Sequence, residues 1–88
     1  MENTILALKA GALPANQDGR CGLTLGGRTS LAVSAQETAL LHALFQRAQP
    51  IADLKALLLA GDPSPAGEAF AALTLAEFII RFGDYLEN

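Results

Sequence analysis

One histidine, one cysteine and nine scattered carboxylates are the residues of this 88-residue chain that could carry acid–base, nucleophilic or metal chemistry. A cysteine nucleophile needs a histidine base that a third group orients. Cys21 sits between Arg20 and Gly22 with no histidine nearby, so it reads as a half-buried thiol. His42 falls on the polar side of a helical pattern, where a solvated or capping role is the simplest assignment. A metal site around it would need a second histidine, a cysteine or a close set of carboxylates, and the acids stand singly. The same scatter argues against a working carboxylate pair. Gly26–Gly27 is no phosphate loop, since neither the G-x-G-x-x-G nor the Walker spacing surrounds it. The chain therefore reads as a non-enzyme with no cofactor and no metal.

The elements that must position any other function begin with composition. Hydrophobic residues make up 51% and charged residues 17%, a folded rather than a disordered balance, with apolar surface to spare for a partner. The length suits a single domain over 1–88, with a β region over 1–33 and a three-helix region over 34–88. Net charge is −3, and the six bases (Lys9, Arg20, Arg28, Arg47, Lys55, Arg81) are nowhere adjacent. Phosphate binding needs clustered bases, so nucleic acid is disfavoured as a partner. A lone cysteine allows no intramolecular disulfide. The start, Met1-Glu-Asn-Thr-Ile5, lacks the basic and apolar regions of a signal peptide. No apolar run is long enough for a membrane helix. No membrane partner and a cytoplasmic location are the expectation.

Strand-like runs are Thr4–Ala10, Leu23–Leu25 and Ser30–Val33, the last two joined by a tight Gly26–Gly27 turn with positive φ. In the last run Leu31 and Val33 share one face, Ser30 and Ala32 the other. Gly11–Gly22, with Pro14, Asn16 and Asp18, reads as a loop. Ser34 and Glu37 form a capping box that opens a helix carrying Leu40, Leu41, Leu44, Phe45 and Ala48 at helical spacing. Pro50 is expected to end it. Ile51–Ala60 fits a second helix stopped by Gly61. Asp62–Pro65 reads as a loop, with Ser64-Pro65 opening a third helix that runs to Phe82. Asp84–Asn88 is left as a tail. The third helix has two apolar stripes: Ala71, Leu75, Phe78 and Phe82 on one, Phe70, Leu73 and Ile80 on another. The second either completes a small core or lines a groove beside the sheet edge. The expected architecture is α+β and winged-helix-like: a small three-stranded antiparallel sheet followed by three helices.

That order of elements, with Ser34, Glu37, Leu40, Leu41 and Leu44, then Ile51, Ala52, Asp53 and Leu54, then Phe78, Ile79, Phe82, Gly83 and Leu86, resembles a known family. It is similar to the small peptide chaperones of pyrroloquinoline-quinone biosynthesis. More broadly it resembles the recognition elements that guide ribosomally made precursor peptides to their modifying enzymes. The likeness spans Leu23 to Glu87 and departs at the start, where the family's basic or aromatic first hairpin is replaced by Leu13–Gly22. The resemblance implies a leader peptide added as a strand to the sheet edge beside the third helix. The accepting residues would be Thr29, Ser30, Leu31, Ala32 and Val33. Leu73, Glu77, Ile80 and Arg81 would offer an apolar floor with a charged rim. The implied partners are a precursor peptide and a modifying enzyme, and the oligomeric state leaves room for a homodimer.

Two other readings stand beside it. A winged-helix DNA-binding regulator would need Arg, Lys, Asn or Gln near the start of the third helix. Between Ala66 and Leu75 that helix has Glu68 and Thr74 and no base. A small structural or adaptor subunit would use the surplus apolar stripe against a larger protein.

Overall fold

Two short turns, each with positive φ at both central residues, fold the first third of the chain into a meander. The turn residues are Asp18 (φ 53°) with Gly19 (79°), and Gly26 (60°) with Gly27 (82°). This is the left-handed pair that two-residue hairpins demand. The structure, a computed structural model, describes residues 4–60 and 64–88. The strands are β1 (Ile5–Leu8), β2 (Leu13–Gln17), β3 (Arg20–Leu25), β4 (Arg28–Leu31), β5 (Gln49–Pro50) and β6 (Leu86–Glu87). The helices are α1 (Ala35–Gln46), α2 (Ile51–Leu59) and α3 (Pro65–Phe82), the last followed by a 3-10 turn over Gly83–Tyr85. The fold is the α+β class expected, with a three-stranded antiparallel sheet in the order β2-β3-β4 and three helices after it.

The membership of that sheet differs from the sequence reading. The Gly11–Gly22 stretch contains β2 and the start of β3, because Asp18-Gly19 is itself a hairpin turn. The first expected strand, shortened to β1, joins a second antiparallel sheet in the order β5-β1-β6. There it holds the link between α1 and α2 on one side (Leu6 opposite Gln49) and the end of the chain on the other (Leu8 opposite Leu86). Asp84–Asn88 is thus no loose tail: Lys9 N–H donates to the Tyr85 carbonyl at 2.9 Å, and Tyr85 and Leu86 are buried.

Helix boundaries follow their caps. Ser34 accepts the Glu37 amide at 3.2 Å, the forward half of the expected capping box. The return half lands one residue earlier, since Glu37 accepts the Val33 amide at 2.9 Å. Pro50 does not end α1, which stops at Gln46; it sits as the N-cap of α2 after pairing with Ile5. Ser64 caps α3 through the Gly67 amide at 3.1 Å, with Pro65 in the first helical position. The expected helix stop at Gly61, the loop residues Asp62 and Pro63, and the start Met1–Asn3 lie outside the described residues.

One apolar stripe of α3 carries the core. Ala71, Leu75, Phe78 and Phe82 are buried, Phe78 and Phe82 stacking at 5.0 Å between ring centroids. Leu75, Phe78 and Phe82 meet Leu23 of β3, Leu40, Leu41 and Leu44 of α1, Leu54 of α2 and Leu6 of β1 in one cluster. Each fully buried side chain of this kind contributes roughly 1.5–3 kcal/mol. The second stripe is not wrapped by the core: Phe70 is 57%, Leu73 58% and Ile80 80% exposed. Among the described residues no helix is long and apolar enough to cross a membrane.

Candidate functional site

The alternation of an antiparallel ladder decides which backbone groups the β2-β3-β4 sheet leaves unused. Ala32 N–H donates to the Cys21 carbonyl at 2.7 Å, and Ser30 and Arg28 lie opposite Leu23 and Leu25. Residues 28, 30 and 32 therefore spend their backbone groups on β3, while Thr29 and Leu31 turn theirs outward. The same alternation assigns Gly22 and Thr24 of β3 to Ala15 and Leu13 of β2, so Pro14 and Asn16 face outward on the opposite edge. Pro14 has no amide hydrogen, and it sits where a second chain would look for one. One edge of the sheet is blunted; the β4 edge is not.

Amide exchange should reproduce this alternation. The Ser30 amide is expected to exchange at least about tenfold more slowly than those of Thr29 and Leu31, one hydrogen bond's net worth. Residue-resolved hydrogen–deuterium exchange by NMR measures it, and equal protection at all three would contradict the register.

Where the chain leaves the sheet, four hydrogen bonds hold the backbone of residues 31–33, and an ion pair ties two of them together. Arg20 donates from Nε (3.2 Å) and Nη2 (3.0 Å) to the Ala32 carbonyl. Arg81 of α3 donates from Nη2 to the Leu31 carbonyl at 2.7 Å, and from Nη1 to Oε1 of Glu37. The same Glu37 oxygen accepts the Val33 amide. Glu37 is only 4% exposed, so the Arg81 guanidinium and these hydrogen bonds offset the cost of burying its carboxylate. Arg81 also lies over the Phe82 ring, 5.3 Å from its centroid, which helps hold the guanidinium in place.

Beneath the core-facing side of β4 opens a recess of about 350 Å³. The sheet lines it with Leu25, Arg28, Thr29 and Ser30; the end of α3 and the 3-10 turn line it with Arg81, Asp84 and Tyr85. Thr29, Ser30 and Arg81 are thus brought together as the sequence reading expected. Other assignments change. Ala32 points into the core at 5% exposure, and Val33 lies beyond the strand at 65%, so the side shared by Ser30 and Ala32 faces the core and the more apolar side of Leu31 and Val33 does not. Leu73, Glu77 and Ile80 face solvent on α3 and do not line the recess, whose apolar wall is Leu25 and Tyr85 instead. The reason is helical rotation: with Phe78 and Phe82 in the core, Ile80 points away from it, and Arg81 is turned to the β4 flank. The expected charged rim at Arg81 is an ion pair engaged with Glu37. Arg28, Asp84 and the second role of Glu37 were missed, because nothing in their sequence neighbourhoods announces these partners.

Neither of the remaining reactive residues lines the recess. Cys21 is a half-buried free thiol, and His42 is exposed, with its ring 6.1 Å from that of Phe45. Among the described residues no group of three or more His, Cys, Asp or Glu side chains could hold a metal ion. The site is defined by backbone: a small α+β domain with one open sheet edge over a half-open recess. Compared with known proteins, the chain matches no protein-family model, no curated protein and no solved structure.

Proposed function

We propose that this protein is a non-catalytic peptide-binding module that takes up a precursor (leader) peptide as an added strand on β4. It would present that peptide to a modifying enzyme in ribosomal peptide natural-product biosynthesis, in the cytoplasm, on a winged-helix-like scaffold. The observation that carries the reading is the asymmetry of the two sheet edges. Pro14 removes one of the two outward donors of β2, leaving only that of Asn16, while Thr29 and Leu31 both keep theirs on β4. Strand addition uses such groups for affinity and pockets for alternate side chains for specificity. Arg28 and Ser30 share the core-facing side of β4, so side chains of an added strand opposite them would enter the recess.

The test copies the device already present in β2. Thr29→Pro removes an outward amide hydrogen and keeps the backbone ladder to β3, at the cost of the exposed hydroxyl contact from Thr29 to Thr24 at 3.2 Å, and proline is tolerated at such an edge position. Decapeptides selected from a random display library on the wild-type protein are expected to bind the variant at least about tenfold more weakly. Gln46→Asp, on the far end of α1, should leave binding unchanged. Equal affinity for wild type and Thr29→Pro, with unchanged circular dichroism, would remove the β4 edge from the mechanism.

The adaptor reading has its own observation, the exposed Phe70, Leu73 and Ile80 of α3. It predicts a binding partner that Thr29→Pro leaves untouched. The DNA reading gains nothing: the first half of α3 exposes Glu68, Ala69, Phe70 and Leu73 and has no base.

A further inference from the structure

We propose that the Glu37–Arg81 ion pair ends the docking ladder of β4, so that a bound peptide supplies two carbonyls and only one amide hydrogen to it. This rests on the strand-addition reading above and deepens it.

The outward backbone groups of the β4 edge come in a fixed order. The groups in order are the Thr29 N–H and C=O, the Leu31 N–H and C=O, and then the Val33 N–H. Arg81 donates to the Leu31 carbonyl, and Glu37 accepts the Val33 amide. The two partners are bonded to each other across 44 positions of sequence, so a single ion pair caps two successive groups of the same edge. What remains open is two donors, the Thr29 and Leu31 amides, and one acceptor, the Thr29 carbonyl. Arg81 also stands where the next peptide amide would have to approach.

An added strand therefore pairs along Thr29–Leu31 and no further. In an antiparallel arrangement the residue opposite Thr29 must have an N–H, and the residue two places before it, opposite Leu31, need not. In a parallel arrangement the needed and the dispensable amides are again two residues apart. Either way the ligand is a short extended segment that tolerates proline, or any N-alkylated residue, at the position facing the Leu31 carbonyl. Side-chain preference would come from the recess; amide tolerance comes from the ion pair.

The probe is a decapeptide selected on the wild-type protein from a random display library, resynthesised with each backbone amide N-methylated in turn. The expected result is one position whose methylation weakens binding at least tenfold, with the position two residues away changed less than about threefold. In Glu37→Gln/Arg81→Met, which removes both charges and frees the Leu31 carbonyl, that second position should also become sensitive. Two sensitive positions two residues apart on the wild-type protein would overturn the inference and leave strand addition standing. No sensitive position on any selected peptide, or no peptide selected, would overturn strand addition and the inference with it. The scan on the wild type decides without the double variant. If that variant does not fold, Glu37→Gln alone loosens Arg81 and is read for a smaller gain at the second position; no gain there counts against the inference.

Discussion

Gly22→Val is expected to lower the melting temperature by roughly 15 °C and to abolish the peptide binding proposed for the β4 edge. A Cβ at this position would lie 2.1 Å from the Ser30 carbonyl oxygen and 3.0 Å from the Leu31 Cα. Both are backbone atoms of the neighbouring strand, so no rotamer change relieves the contact. Either β3 and β4 separate or the meander twists out of register. Overpacking of this kind costs about 3 kcal/mol at the upper end of its usual range, and each kcal/mol is worth about 4–8 °C in a domain of this size. Leu31 Cδ2 lies 2.8 Å from the same point, so its cover of Gly22 on the outer face would also be lost. Gly83→Ala is the control, since a Cβ there meets nothing within 4 Å and its φ is −57°. Thermal unfolding followed by circular dichroism measures both. A fall of less than about 4 °C for Gly22→Val, or a larger one for Gly83→Ala, would contradict the packing described.

Arg81→Ala is expected to destabilise the fold by about 3 kcal/mol, the lower end for breaking a buried ion pair. The Arg81 side chain is 34% exposed and Glu37 only 5%, so screening weakens the attraction while the stranded carboxylate keeps nearly its full desolvation penalty. The Leu31 carbonyl loses its donor as well. Glu37→Gln/Arg81→Met should cost much less than Arg81→Ala, because it removes both charges and retains an amide oxygen for the Val33 N–H. Urea denaturation of the wild type and these variants gives the comparison. A cost below about 1 kcal/mol for Arg81→Ala would place the pair among ordinary surface ion pairs.

Much of the local structure was legible in the residues. Gly26–Gly27 announced its hairpin, Ser34 and Ser64 their helices, and Ala71, Leu75, Phe78 and Phe82 the buried face of α3. Each signal acts within one or two turns of chain, where propensity and hydrophobic period apply directly. The Asp18-Gly19 hairpin carried an equally local signal, which Pro14 and the neighbouring polar residues obscured. Pro14 proved to mark an edge strand rather than a loop.

The amino-acid sequence by itself determined the class of the fold, the three helices and the apolar seam of α3. Tertiary structure alone decided which strand became the open edge and which of its backbone groups Arg81 and Glu37 occupy. β1 is drawn into a second sheet by partners near residues 50 and 86, and Glu37 finds Arg81 across the whole helical region. Such pairings depend on how far apart two residues lie in space once the core has formed. Composition and spacing report only distance along the chain.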